Sequence, residues 1–121
     1  MKILFIIRKY WIAFTVVILA GITCFSLMPL DELPDVPSSD KMHHFIAYTV
    51  LAFPAAFRRP YRWILFLVAF IAYSGVIELV QPFVNRYGEW LDMLANASGV
   101  VCGACVATVI NRLSVIRAEN K

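Results

Sequence analysis

The chain has 121 residues, of which 61% are hydrophobic and 16% are charged, and it carries a net charge of +3. Soluble domains have about 45–50% apolar and about 25% charged residues, so this composition excludes an ordinary soluble domain. The basic residues lie in short clusters between apolar runs, which is typical of membrane proteins and argues against a nucleic-acid partner. The length predicts a single domain over residues 1–121.

Four apolar segments predict four helices, at about residues 10–28, 40–57, 62–80 and 91–111. The first segment would span roughly 28 Å, which is close to the hydrocarbon thickness of a bilayer. It has no Ala-x-Ala cleavage site near its end, so we interpret it as a retained helix and not as a signal peptide. Pro29, Pro34 and Pro37 exclude a helix from the connection to the second segment.

The distribution of Lys and Arg predicts the orientation of these helices. Nine of the eleven lie in three groups, at the amino end, in the turn between the second and third helices, and at the carboxyl end. Cytoplasmic segments of membrane proteins carry this excess of basic residues. The sequence therefore predicts an all-α, four-transmembrane-helix bundle with both termini cytoplasmic and with membrane lipids around it.

Small residues recur at four-residue intervals along the fourth helix, at Ala95, Gly99, Gly103 and Ala107. Such a stripe allows two helix backbones to approach closely in lipid. We interpret it as packing within the bundle, and the alternative is a homodimer through Gly99 and Gly103. The C-x-x-C sequence at 102–105 lies in the same helix, and without a surrounding βαβ pattern it does not indicate a redox site.

Polar side chains collect where the second, third and fourth helices would meet one membrane face. They are Asp40, Lys41, His43, His44, Tyr48, Glu78, Gln81, Arg86, Asp92 and Asn96. An unpaired carboxylate at Glu78 would cost about 2.5–3.5 kcal/mol on insertion scales. We therefore expect Glu78 to be protonated or to have a cationic partner, for which Lys41, Arg86 and a charged His44 are the candidates. The group is either a functional site or a structural ion-pair network that holds the helices together.

The residue types in this group suit three kinds of chemistry. His44 with Glu78 and Asp92 could bind zinc or another divalent ion, but no His-Glu-x-x-His or similar spacing occurs, so the sequence predicts no metal and no cofactor. His44 could act as a general base oriented by Asp40, with Glu78 also handling protons, and these three are the catalytic candidates. Arg86 and Lys41 could hold an anionic group.

The polar motifs follow one another in a fixed order. They are Asp40-Lys41-x-x-His44-Phe45-x-x-Tyr48, Glu78-x-x-Gln81, Arg86, and Asp92-x-x-x-Asn96-x-x-Gly99-x-x-x-Gly103. In this order they resemble the VanZ-like family of small membrane proteins, from Asp40 to about Ala107. The founding member is associated with resistance to the glycopeptide teicoplanin, so the resemblance implies a bacterial cell-envelope setting in the cytoplasmic membrane, and it implies no reaction. The family often has Pro-Gly before the arginine, whereas Val84 and Asn85 precede Arg86 here.

Three functions remain open from the sequence. The polar group on the outer face could bind an anionic envelope ligand, such as a phospholipid, a lipid-linked cell-wall precursor or an antibiotic headgroup. It could belong to an enzyme that acts on such a lipid, or it could stabilise a structural, partner-binding membrane protein. A transporter is disfavoured because the inner halves of the helices contain no ionisable residue apart from their basic ends.

Overall fold

The computed structural model describes the backbone of residues 2–27, 40–84 and 90–119, and the side chains of residues 2–27, 42–83 and 91–114. These residues form five α-helices and one short 3₁₀ helix, with no strand among them. The elements are α1 Lys2–Lys9, α2 Trp11–Ser26, α3 Asp40–Arg58, α4 Trp63–Val80, the 3₁₀ helix Gln81–Val84, and α5 Trp90–Glu119. The prediction of an all-α fold is confirmed.

The amino end differs from the prediction, because residues 2–9 form a separate helix before the one that starts at Trp11. The axis of α1 is bent by 80° from that of α2. Leu4 and Ile7 pack against a buried cluster that contains Ala56 and Phe57 of α3. Two of its apolar side chains are thus partly buried against the end of the bundle, whereas Ile3 and Phe5 are each 67% exposed. The hydropathy pattern alone did not predict this separate helix.

The most deeply buried helix is α3, and it packs against α5 in parallel. Leu51 and Ala52 are fully buried. A Cβ atom added to Gly99 would overlap the backbone oxygen of Phe45, and one added to Gly103 would overlap the backbone oxygen of Thr49. The stripe of small residues on α5 therefore brings two backbones into direct contact within one chain.

The other long helices run in the opposite direction to α3 and α5, and side chains tie them together. Tyr73 of α4 hydrogen-bonds to Thr23 of α2. Because the Thr23 hydroxyl already donates to the Leu19 carbonyl at 2.8 Å, Tyr73 is the donor of this bond. At the other end of α2, the Trp11 and Phe66 rings meet edge to face with centroids 5.4 Å apart.

Basic side chains are tied to one end of the bundle. The Arg8 Nη2 donates to Oδ1 of Asn111 at 2.7 Å, and its guanidinium lies 4.7 Å from the centroid of the Phe57 ring. The Arg59 Nη2 donates to Oγ1 of Thr108 at 2.7 Å. These contacts place α1, the α3–α4 turn and the second half of α5 at the same end.

The fifth helix extends beyond its predicted end. We expected it to stop near Asn111, with a basic tail after it, whereas α5 continues to Glu119. No glycine or proline follows Gly103 in this helix, so nothing in the local sequence interrupts the helical backbone. Arg112 and Arg117 therefore belong to a helix, whereas Lys121 lies outside the described residues.

The surface of the bundle is apolar. Large hydrophobic side chains point outward on three helices, including Val17 at 69%, Leu79 at 75% and Leu113 at 60% exposure. Residues 63–83 and 91–114 are long and apolar enough to cross a membrane, and the bent pair α1–α2 would make a third such span. The first turns of α3 are more polar, because they contain two histidines and two charged residues. The protein therefore has the character of a membrane protein, with two to three candidate spans.

Candidate functional site

The end of the bundle away from Arg8 and Arg59 contains a cluster of polar side chains from three helices. His44 lies in the second turn of α3, Glu78 lies in the last turn of α4, and Asp92 lies in the first turn of α5. Because α3 and α5 begin at this end while α4 ends there, three segments that are far apart in sequence meet. We call His44, Glu78 and Asp92 the polar triad.

The atoms of the polar triad are close to one another. The His44 Nε2 lies 3.9 Å from Oδ2 of Asp92, and these side chains are 13% and 9% exposed. One nitrogen of His44, one carboxylate oxygen of Glu78 and one of Asp92 all lie within 4.8 Å of one another. Each of the three residues also has further polar or electrostatic interactions. The arrangement is compatible with an ion-pair network and with a three-ligand cation site.

A second set of polar side chains lies one helical turn from each member of the triad. Tyr48 follows His44 by four residues, Gln81 follows Glu78 by three, and Asn96 follows Asp92 by four. All three are only 1% exposed. Their side-chain oxygens have no hydrogen-bond partner among the described atoms. We call these residues the inner polar set.

Within the described part of the chain, the inner polar set lacks the hydrogen bonds that would offset its burial. A buried polar atom without a hydrogen bond costs about 1–3 kcal/mol, and native proteins satisfy most such atoms with protein groups, ordered water or a ligand. The amide of Gln81 is held in place, because its Nε2 donates to the Ser26 carbonyl at 3.1 Å. The Tyr48 hydroxyl is within electrostatic range of Tyr73 and Glu78. The oxygens are therefore positioned by the fold and available to a bound group.

The helix dipoles affect the two carboxylates of the triad differently. Asp92 lies in the first turn of α5, where the partial positive charge of a helix amino terminus stabilises an anion. Glu78 lies near the carboxyl end of α4, where the partial negative charge has the opposite effect. A cation near Glu78 would therefore be stabilising, as the sequence led us to expect.

Some predicted site residues lie outside the described part of the chain. Arg86 falls there, and so do the side chains of Asp40 and Lys41. The pairing of Asp40 with His44, and the roles of Lys41 and Arg86 in holding an anion, therefore stay predictions. The carboxylate that lies near the His44 Nε2 is that of Asp92, which the sequence did not assign to this role.

The sequence also missed two residues that support the site. Ser74 is fully buried, and it lies on the same face of α4 as Glu78 and Gln81. Ser74 precedes Glu78 by four residues and Gln81 by seven, and these helical intervals could have identified it. Tyr73 could not have been found in this way, because its role depends on a hydrogen bond to Thr23 on another helix.

The fold and the cluster define a class, namely a small helical integral membrane protein with buried polar side chains at one end of its bundle. The family model described as VanZ/LLP1 matches residues 3–111, and the chain belongs to this family. The match runs from α1 through most of α5, so it extends beyond the motifs that suggested the family from the sequence. No curated protein matches the chain, and no solved structure matches it.

Proposed function

We propose that this protein spans the cytoplasmic membrane of a bacterium four times, with both termini in the cytoplasm and the polar triad on the outer side. The location of Arg8 and Arg59 at the opposite end supports this orientation, because cytoplasmic segments are enriched in basic residues. The more polar α3 can be the fourth span, because one face of its central part, which includes Leu51 and Ala52, is fully buried against the other helices.

We propose that the cluster binds the anionic group of an envelope lipid or of a lipid-linked cell-wall precursor. The observation that carries this proposal is the burial, beside the polar triad, of three oxygens that no described residue satisfies, in a bundle with an apolar surface. Polar groups of this kind are expensive inside a membrane protein and mark functional sites. Lys41 and Arg86 would supply positive charge to the anion, since the triad contains two carboxylates and one imidazole.

A glycopeptide-related ligand such as teicoplanin belongs to the same proposal. Membership of the VanZ/LLP1 family supports an envelope role through the resistance association of the founding member. A lipid-linked precursor and the antibiotic that recognises such precursors would meet the protein at the outer surface of the membrane. A homodimer through Gly99 and Gly103 is not part of the proposal, because α3 of the same chain packs on that face.

Native mass spectrometry of the purified protein tests ligand binding. Phosphatidylglycerol and phosphatidylcholine are added in parallel, and retention is compared between wild type, Arg86→Gln and Arg58→Gln. Arg58 is exposed at the basic end of the bundle, so it provides the matched loss of charge away from the site. We expect selective retention of the anionic lipid by wild type and Arg58→Gln and its loss in Arg86→Gln. Equal retention by all three proteins would contradict an anion site at this end.

A second candidate function is an enzyme that acts on an envelope lipid. The proximity of the His44 imidazole to the Asp92 carboxylate favours it, because a general base is commonly oriented by a neighbouring acid. Incubation with radiolabelled phosphatidylglycerol tests this function, with a product expected from wild type and none from His44→Gln. If the variants of the triad only unfold more easily and no ligand or product is found, the cluster has a structural role.

A further inference from the structure

The polar triad has the composition of a divalent metal site. An imidazole nitrogen and carboxylate oxygens are both ligands of zinc, and carboxylates also suit manganese. A single ligand atom from each of His44, Glu78 and Asp92 is available within a region 4.8 Å across. The sequence named these three residues as possible ligands but predicted no metal, because no His-Glu-x-x-His or similar spacing occurs and each ligand comes from a different helix.

The distances require only small side-chain adjustments to bind an ion. Tetrahedral zinc with bonds of about 2.0–2.1 Å holds its ligand atoms roughly 3.3–3.5 Å apart. The nitrogen of His44 and the oxygen of Asp92 are already 3.9 Å apart, and no pair in the group exceeds 4.8 Å. Rotation of two carboxylates can supply the difference without a movement of the helices.

The inner polar set is an independent observation that points to a bound group. A metal with three protein ligands keeps an open position for water or a substrate atom. Tyr48, Gln81 and Asn96 are 1% exposed and present oxygens without a hydrogen-bond partner among the described atoms. Each lies one turn from one ligand, so a water or hydroxyl held by the ion would have hydrogen-bond partners on all three helices.

The charges agree with a cation at this position. A divalent ion would reduce the repulsion between two carboxylates that approach each other in a poorly solvated site, in addition to the interactions that these residues already have. The ion would also lie near the carboxyl end of α4, where the helix dipole favours positive charge. The triad without a metal carries too little positive charge to attract an anion by itself.

We propose that His44, Glu78 and Asp92 bind one divalent transition-metal ion of the zinc type, with an open coordination position at the end of the bundle. The ion would tie α3, α4 and α5 together and would accept an oxygen of the anionic group. The metal site does not depend on the function proposed above, whereas the bond to an anionic group rests on it.

Metal analysis of the detergent-purified protein, prepared without a polyhistidine tag, tests the site. The protein is stripped with a chelator, equilibrated with Zn²⁺ and analysed for bound metal by elemental mass spectrometry and titration calorimetry. We expect one equivalent per chain in wild type and a loss of affinity of at least about tenfold in Glu78→Gln and Asp92→Asn. His43→Gln, beside the triad, and Cys105→Ser, an exposed thiol on α5, should retain wild-type binding.

A spectroscopic readout keeps the test independent of the folding of the variants. Wild type loaded with Co²⁺ should show visible absorption bands of a low-coordinate site with nitrogen and oxygen ligands, and Zn²⁺ should abolish them. Metal below one tenth of an equivalent in wild type, or full metal in both carboxylate variants after they are shown to be folded, would overturn the proposal.

Measuring how much phosphatidylglycerol the same protein samples retain distinguishes a failure of the metal site from a failure of the proposed function. If the lipid is lost when the metal is stripped, the ion bridges to the anionic group. If the lipid is retained without metal in wild type that binds no Zn²⁺, the metal site is wrong and the lipid site stands. If Zn²⁺ binds stoichiometrically and no anionic lipid is selected, the metal site stands and the proposed function is wrong.

Discussion

Gly99 of α5 packs so closely on Phe45 of α3 that a Cβ atom on the glycine would overlap the Phe45 carbonyl oxygen. The obstacle is a backbone atom, so no rotation of a side chain can relieve it. The contact lies seven residues after Asp92 on α5 and one residue after His44 on α3. It therefore fixes the spacing of the two helices just below the polar triad.

We predict that Gly99→Ala destabilises the bundle by about 1–3 kcal/mol, because the added methyl group must push the two helices apart. Chemical unfolding in detergent, followed by circular dichroism, measures the change. Gly21→Ala is the matched control, because nothing lies within 4 Å of a Cβ at that position of α2. The control should be neutral or more stable by up to about 1 kcal/mol. Equal effects at the two positions would contradict the close contact.

We predict that Asn96→Leu separates stability from ligand binding. The change removes a buried oxygen that has no partner among the described atoms and replaces it with an apolar side chain of similar size. Stability should stay within about 1 kcal/mol of wild type or rise, because replacing an unsatisfied polar group removes its desolvation penalty.

Retention of the anionic lipid or of Zn²⁺ should fall in Asn96→Leu, because the bound group loses a hydrogen-bond partner. Thermal unfolding and native mass spectrometry on one preparation measure both quantities. A marked loss of stability with unchanged retention would instead show that Asn96 serves the fold through interactions with residues outside the described part.

We predict that Tyr73→Phe destabilises the contact between α2 and α4 by about 0.5–1.5 kcal/mol, because it removes the hydrogen bond to Thr23. Unfolding in a detergent series measures the loss. Tyr61→Phe removes the same hydroxyl from a side chain that is 84% exposed, and it should have no effect. Adding Thr23→Val to Tyr73→Phe should lower the stability by no more than a few tenths of a kcal/mol, because the hydrogen bond is already absent.

We predict that a cysteine in place of Asn85 is labelled by a membrane-impermeant thiol reagent in intact cells, whereas a cysteine in place of Arg59 is not. The background for both is the chain with Cys24, Cys102 and Cys105 changed to serine. Four spans with cytoplasmic termini put the loop around Asn85 outside and the α3–α4 turn inside. The opposite labelling pattern would show that the orientation in the membrane is the reverse of the one proposed. Equal labelling of the two cysteines would contradict the four-span topology.

The sequence predicted the bounds of α3 and α4 closely, because their apolar runs end at strong local signals, whereas the end of α5 has no such signal. The third predicted helix, at about 62–80, corresponds to α4 Trp63–Val80, which ends where Gln81 and Pro82 follow. The separate helix α1 was missed, because Lys2, Arg8 and Lys9 led us to treat these residues only as a basic amino end. The bend near Tyr10 depends on packing against α3, which hydropathy does not contain.

The sequence also indicated which polar residues share a helix face, as for His44 and Tyr48 or for Asp92 and Asn96. It could not give the distances between faces of different helices. It offered Asp40 as the acid that orients His44, and this pairing stays a prediction because the Asp40 side chain lies outside the described part of the chain. It did not give the distance of 3.9 Å between the Asp92 carboxylate and the imidazole. The spacing of His44, Glu78 and Asp92 led us to expect no metal, and this expectation stays a prediction.

The glycine contact between α3 and α5 has a mechanical consequence. Two helices in backbone contact form a stiff pair, and this pair carries His44 and Asp92. Glu78 lies on α4, which joins α3 through a turn in which Arg59 and Arg62 have φ angles of 51° and 60°. A ligand held by all three side chains would therefore link α4 to this pair, while the backbone contact sets the distance between α3 and α5.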